Sequence, residues 1–124
     1  TGVIGFCWGG TGSFNYVAYQ PGLSAAVVYY GNPTLTGDQT YETKLANVKA
    51  PVLGLYAGND MRIDATIPDT EAAMKKLGKS YETHIYEGAG HGFMSAQAGA
   101  GGANLKAAQQ SWPLVVAFYK KNLN

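Results

Sequence analysis

The chain is short of charge and of long apolar runs, and each shortage excludes a class of protein. Charged residues make up 14% of the 124 residues, and 9 basic against 8 acidic side chains leave a net charge of +1. Because the positive and negative charges nearly cancel, the chain has no net electrostatic attraction for nucleic acid or for an anionic membrane surface, and we expect neither partner. No apolar run approaches the length of a membrane span.

Cysteine is scarcer still, since Cys7 is the only one. A single cysteine excludes an internal disulfide and leaves the redox compartment open. Hydrophobic residues make up 46% of the chain, enough for one domain with a buried core. Because Thr1 is not a methionine and an apolar strand begins directly after it, we expect the chain to be a piece of a longer protein.

Four runs predict β-strands, at residues 2–6, 25–30, 51–57 and 81–86. The second and third are almost continuously apolar, as in parallel strands covered on both faces, whereas the fourth alternates as an edge strand does. Helices are predicted at residues 10–19, 41–48, 67–77 and 104–122, and Pro113 should kink or divide the last one. Strands alternating with helices predict an α/β fold with a mostly parallel sheet and flanking helices. The Gly/Ala-rich segment 96–103 is predicted to be a mobile loop.

The segment Gly5-Phe6-Cys7-Trp8-Gly9 ends the first strand with the glycine spacing of a nucleophile elbow, G-x-S-x-G, and has cysteine in the serine position. Such a turn holds its nucleophile in a strained conformation, and we expect Gly5 and Gly9 to supply the space around it. Cys7 would then lie at a helix N-terminus, where the helix dipole favours a thiolate.

Two further reactive side chains, Asp60 and His91, follow the ends of the third and fourth strands. Because the carboxyl ends of parallel strands meet at one edge of a sheet, we expect these loops to converge on Cys7. Cys7 would be the nucleophile, His91 the base that takes its proton, and Asp60 the acid that fixes the imidazole tautomer. The backbone N–H of Trp8 is predicted to be one oxyanion donor.

Each of these residues also has a plainer interpretation. Cys7 could be a small buried hydrophobe, Asp60 a turn former and His91 an ordinary loop histidine. Asp64 is a competing acid, but we expect it to cap the helix that follows it. His84 lies within a strand and is expected to face solvent. Three reactive residue types in three strand-end loops, in the order nucleophile, acid, base, favour the catalytic interpretation.

In these motifs, and in Gly90-His91-Gly92-Phe93, the chain resembles the dienelactone hydrolase family of α/β-hydrolases. The resemblance covers the whole chain but only the C-terminal half of the family's domain, which implies one partial α/β-hydrolase domain over residues 1–124. It also implies hydrolysis of a small ester or lactone by a triad of Cys7, Asp60 and His91, through a thioester intermediate and without metal or organic cofactor. The family's usual setting implies a cytoplasmic location.

Two departures from the family pattern concern the substrate. The family carries a glutamate, an arginine and a second oxyanion donor in its N-terminal half, and none of those positions lies in this chain. The arginine that binds a substrate carboxylate just beyond the histidine is not matched either, because residues 92–96 include no basic side chain. The resemblance therefore supports ester hydrolysis more strongly than it supports a dienelactone substrate.

Other functions stay open. The chain could be a non-catalytic fragment or assembly module that keeps the elbow as packing, or a redox sensor at Cys7, although it has no resolving cysteine. Without the strands that flank it in the family, the first strand would expose Val3, Ile4 and Phe6 along an open edge. We therefore expect a homo-oligomer formed through the first strand, or a separately encoded N-terminal half that pairs with it.

Overall fold

A computed structural model describes residues 1–123, which contain a parallel sheet of four strands in the order β1-β2-β3-β4. The strands are β1 (Gly2–Phe6), β2 (Ala25–Tyr29), β3 (Val52–Ala57) and β4 (Tyr81–Tyr86). In the ladder Ile4 lies opposite Val27, and Val27 lies opposite Leu53. The predicted α/β fold class and all four predicted strands are confirmed. The predicted domain extends to Asn124, which lies outside the described residues.

Five helices lie between and after the strands in the described chain: α1 (Trp8–Tyr19), α2 (Tyr41–Leu45), α3 (Met61–Asp64), α4 (Ile67–Lys76) and α5 (Ala103–Asn122). The prediction of a loop at 96–103 is partly wrong, because a 3₁₀ turn forms at Ala100–Gly102. Pro113 does not divide the last helix, since α5 continues through it. Buried residues on both sides of Pro113, Ala107 and Val115 among them, hold α5 against the sheet as one helix.

Apolar side chains cover the sheet on both faces, because successive residues of a strand point to opposite sides. On one face Ala26, Val28 and Val52 pack with residues of α1, α2 and α4, including Phe14, Val17, Leu45 and Met74. On the other face Val27, Tyr29, Leu53 and Leu55 pack with Phe93 and with Ala107 and Val115 of α5. None of the helices within residues 1–123 is both long enough and apolar enough to cross a bilayer.

The strand β1 lies at one side of the sheet and pairs only with β2 among the described residues. The N–H of Cys7, just after β1, donates to the carbonyl of Tyr29 at 3.2 Å. Alternate residues of a parallel strand face the same neighbour, so the backbone groups of Ile4 and Phe6 face away from β2. The outer side of β1 is therefore an open edge.

All four strands run in the same direction, so the loops at their carboxyl ends lie along one rim of the sheet. The first residues beyond β1 and β2 are Cys7 and Tyr30, while Asp60 and His91 lie in the loops that follow β3 and β4. This rim is where ligands bind in open α/β sheets.

Candidate active site

Cys7 occupies the turn between β1 and α1 with φ 58° and ψ −118°, an unusual conformation for a residue with a side chain. Its own N–H is tied to β2 through Tyr29, and its carbonyl accepts the N–H of Thr11 at 3.1 Å in the first turn of α1. These two hydrogen bonds hold the backbone of Cys7 in its strained conformation. As a result the thiol is exposed at the rim of the sheet.

Close approach of α1 to the sheet requires glycine at Gly5 and Gly10. A Cβ at Gly5 would lie 1.8 Å from the carbonyl oxygen of Gly9, and one at Gly10 would lie 2.2 Å from that of Tyr29. At Gly9, by contrast, a Cβ would meet no atom within 4 Å. The backbone of Gly9 is the part that crowds Gly5, so the steric need for glycine lies at Gly5, while the prediction that Gly9 gives space around Cys7 stays a prediction. Gly10 was missed, because glycine spacing alone does not say which Cα faces the sheet.

The structure brings Cys7, His91 and Asp60 into one chain of contacts. The sulfur of Cys7 lies 2.8 Å from Nε2 of His91, and Nδ1 of His91 is hydrogen-bonded to Oδ2 of Asp60. The Asp60 side chain is only 9% exposed and that of His91 is 34% exposed. With the carboxylate accepting the Nδ1 proton, Nε2 faces the sulfur and can exchange a proton with it.

Hydrogen bonding at the site favours charge separation between sulfur and imidazole. The bond from His91 lowers the pKa of the Cys7 thiol against the opposing effect of desolvation, and the backbone N–H of Trp8 lowers it further. Burial acts to lower the pKa of His91, but its bonds to Cys7 and Asp60 outweigh burial and raise that pKa. The two shifts run in opposite directions, and each moves the pair towards thiolate and imidazolium.

The backbone and the side chain of Trp8 lie in different surroundings. Its backbone N–H is directed at the Cys7 sulfur, whereas its indole is 91% exposed. The oxyanion role of this N–H stays a prediction.

A buried asparagine holds the loop that carries His91. Oδ1 of Asn104, at the start of α5, accepts the N–H of Gly90 at 2.8 Å, and its Nδ2 donates to the carbonyl of Ala96 at the same distance. Asn104 is 5% exposed, so these bonds are shielded from water. The sequence placed Asn104 at a helix start but gave no sign of the loops it would join.

Tyr30 is a second residue that sequence reasoning missed. It is 2% exposed and has φ 37°, and its ring centroid lies 5.0 Å from that of His91. Burial raises the pKa of its phenol to about 12 against a smaller lowering by the backbone N–H of Met94, and the charge of Cys7 raises that pKa further. Tyr30 is therefore neutral at physiological pH and connects the end of β2 to the loop beyond His91.

Asp64 and His84 lie outside this contact chain. Asp64 does not cap the helix after it, because the residue before α4 is Thr66 and Asp64 itself ends α3. Its Oδ1 is buried without a partner, and burial, with the charge of Asp60, raises its pKa to about 6. Nε2 of His84 lies 2.6 Å from Oε2 of Glu82 on the edge strand, and the His84 side chain is 36% exposed, in agreement with the expected solvent-facing position.

A cavity of about 990 Å³ opens beside Cys7 and His91. Its walls come from the end of β1, the loop after His91 and one face of α5; they include Phe6, Tyr30, Met94, Gln109 and Trp112. A substrate lying there would have its reacting atom next to both the thiol and the imidazole. The arrangement can support nucleophilic attack by sulfur with proton transfer through His91.

Comparison with known proteins gives a consistent picture. The model of the dienelactone hydrolase family matches residues 1–123. A protein of Saccharolobus solfataricus, provisionally named carboxymethylenebutenolidase, is 38% identical over 119 residues, which are 95% of this chain and 43% of that protein. A solved structure from Klebsiella pneumoniae, provisionally named dienelactone hydrolase, has a TM-score of 0.80 at 30% identity, with 96% of this chain and 51% of that one covered.

The dienelactone hydrolase of Anabaena variabilis gives a TM-score of 0.68 at 27% identity, and covers 99% of this chain and 50% of its own. The chain thus spans about half the length of the relatives it matches, in keeping with the predicted half of an α/β-hydrolase domain. The match of family model, sequence and fold over nearly every residue shows that this chain belongs to the dienelactone hydrolase family.

Proposed function

We propose that this chain carries the catalytic triad of a cysteine-dependent hydrolase of small esters or lactones. One observation carries the proposal: the Cys7 sulfur lies 2.8 Å from Nε2 of His91, whose other nitrogen is bonded to Asp60. Membership of a hydrolase family supports the reaction class. In this proposal Cys7 is the nucleophile, His91 the general base and acid, and Asp60 the residue that orients the imidazole.

The reaction proceeds in two steps that restore the site. The Cys7 thiolate adds to the ester carbonyl, and the alkoxide leaves with a proton from His91, so that a thioester forms as the C–O bond breaks. A water molecule, deprotonated by His91, then attacks the thioester. The carboxylic acid departs, and the proton that His91 took remains to restore the thiolate–imidazolium pair. For a lactone the freed hydroxyl remains part of the acyl group, and the second step releases a single hydroxy acid.

Stabilisation of the oxyanion depends on the backbone N–H of Trp8. This donor is next to the nucleophile in sequence and is directed at the Cys7 sulfur. Removing one oxyanion donor costs on the order of 10²–10³ in rate in other enzymes, so a site with a single donor would be slow. A second donor, supplied by a partner that pairs with β1, would restore that rate.

The alternative is a non-catalytic assembly module, which the open edge of β1 favours. Within residues 1–123 the outer backbone groups of β1 have no strand partner, and the matched relatives are about twice as long. An edge strand of this kind pairs readily with another chain. In the hydrolase proposal, the same edge receives a separately encoded N-terminal half or the β1 strand of a second copy.

The pH dependence of Cys7 alkylation by iodoacetamide tests the hydrolase proposal without any assumption about substrate. Cys7 is the only thiol, so the reaction reports one site. We expect rapid alkylation well below the free cysteine pKa of about 8.5, with this acid-side reactivity lost in His91→Ala. An ester screen, with detection of an acyl-enzyme by mass spectrometry, then tests for turnover.

His84→Ala is the matched control, because His84 is the only other histidine and has no contact with Cys7. It should leave the pH profile unchanged. An ordinary thiol profile in the native chain, unaffected by His91→Ala, would reject the triad and favour the assembly module.

A further inference from the structure

The cavity beside Cys7 lacks charged walls. Of the described residues that line it, none is Asp, Glu, Lys or Arg, and the ionisable ones are Cys7, His91 and Tyr30. Tyr30 is a neutral phenol at physiological pH. A carboxylate entering this cavity would lose hydration and gain no cation other than the His91 imidazolium, which already pairs with the thiolate and with Asp60.

The apolar part of the cavity wall includes two large aromatic side chains. Phe6 and Trp112 are large aromatic residues that stay 41% and 47% exposed, and both face the cavity along with Met94 and Ala108. Exposed aromatic surface that converges on a reactive group is characteristic of a binding site for an apolar ligand. The polar wall groups are the neutral side chains of Ser95, Gln97 and Gln109.

The register of α5 directs charge away from this cavity. Ala108, Gln109 and Trp112 lie at i, i+1 and i+4, and therefore on one helical face that lines the cavity. Lys106, the cation nearest to that face in sequence, lines a separate groove with Glu87 instead. The absence of charge is thus a property of the helix face and not of the whole helix.

On the basis of the proposed hydrolase function, we propose that this cavity binds an uncharged apolar group, such as an aryl or branched alkyl group of a neutral ester, and discriminates against a carboxylate. The aromatic rings of Phe6 and Trp112 contact the apolar group. The amides of Gln97 and Gln109 provide neutral hydrogen-bonding groups at its rim. Trp112 is the main specificity-determining residue, because its ring is the largest apolar surface in the wall.

Alkylation of Cys7 by a pair of iodoacetamides tests the proposal independently of hydrolysis. N-benzyl iodoacetamide and its para-carboxybenzyl analogue both form a thioether with the Cys7 sulfur by displacing iodide. The two probes differ only in the carboxylate group at the para position of the benzyl ring. Their rates are measured at one pH and divided by the rates with a small free thiol. We expect the benzyl probe to react on the order of 10-fold faster than iodoacetamide after this correction, and the carboxybenzyl probe to lose the gain.

Variants separate the cavity from the thiol. The readout is the ratio of the corrected benzyl rate to the iodoacetamide rate in the same variant. Trp112→Ala should remove most of this benzyl preference, whereas Leu105→Ala, which alters an exposed apolar residue of the same helix outside the cavity, should leave the ratio at its native value. Ser95→Arg should shift preference towards the carboxybenzyl probe by placing a cation in the wall, and Ser95→Gln should not.

Equal corrected rates for the two benzyl probes, or a benzyl preference that survives in Trp112→Ala, would overturn the cavity proposal. Failure of the hydrolase proposal would be seen differently, as an ordinary pH profile with iodoacetamide. In that case the benzyl preference would still show whether the cavity selects neutral apolar groups.

Discussion

The phenol ring of Tyr30 lies tilted at 57° against the imidazole of His91, and Met94, three residues beyond that histidine, packs against the buried cluster that contains Tyr30. Tyr30 is itself fixed, because its N–H donates to the carbonyl of Leu55 at 2.8 Å and its side chain is buried. The end of β2 therefore holds both the ring and the loop that place His91 next to Cys7.

We predict that Tyr30→Leu will lower Cys7 alkylation at about pH 6 roughly tenfold by releasing the imidazole. Tyr30→Phe keeps the ring and should retain the acid-side profile. The measurement is the iodoacetamide pH profile, with circular dichroism to establish that each variant is folded. A Tyr30→Leu profile identical to the native one would assign Tyr30 a purely structural role.

The glycines of the elbow provide a matched pair for stability. Gly10→Ala should destabilise the fold by roughly 2–3 kcal/mol, because the new Cβ would overlap the carbonyl of Tyr29. Gly9→Ala adds the same methyl group to open space in the same helix and should change stability by less than about 1 kcal/mol, towards greater stability. Urea denaturation of both variants provides the comparison, and equal losses would contradict the packing described for α1.

Asp64 should weaken the fold as it ionises. Its folded pKa of about 6 lies above the ordinary carboxyl value of about 4. The free energy of unfolding therefore falls as the pH rises from about 4 to about 6. Asp64→Asn removes this charge and should stabilise the protein at pH 7.5 by about 1 kcal/mol, allowing for partial contact with solvent. The gain should disappear below about pH 4, where the Asp64 carboxyl is protonated in both the folded and the unfolded chain. Urea midpoints at the two pH values test this, with the exposed Asp38→Asn as control; a variant less stable at pH 7.5 would contradict it.

The open edge of β1 should make self-association depend on concentration. Ile4→Pro removes an N–H that faces away from β2, so it should block strand addition while preserving the internal ladder. Sedimentation velocity across a concentration series should show association in the native chain and a monomer in Ile4→Pro, with circular dichroism of the variant unchanged. A native chain that stays monomeric throughout, without a partner half, would contradict pairing through β1.

Much of the fold could be predicted from sequence because its signals are local. Buried parallel strands such as β2 and β3 consist almost entirely of apolar residues, and the strand-end positions of Asp60 and His91 follow directly from the strand boundaries. The helix α3 was missed, since Met61–Asp64 spans a single turn and is too short for any periodic pattern.

The remaining features depend on contacts between distant segments. In the sequence, Tyr30 looks like one more apolar residue at the end of a strand. The packing of its ring against His91 is seen only in the folded structure. Asn104 reads as a helix start, yet it joins two loops. The absence of charged side chains from the cavity wall could not be predicted from the sequence either, because it depends on which face of α5 lies towards the thiol.

The strand order, which follows chain order without exception, bears on how the molecule is made. Each new strand pairs with the one synthesised just before it. The sheet can therefore grow strand by strand while the chain is being synthesised. Growth proceeds in one direction, away from β1, and no later segment has to be inserted between earlier strands. Growth in this direction adds no strand to the outer side of β1 among residues 1–123, so any strand that pairs there must come from outside this sheet.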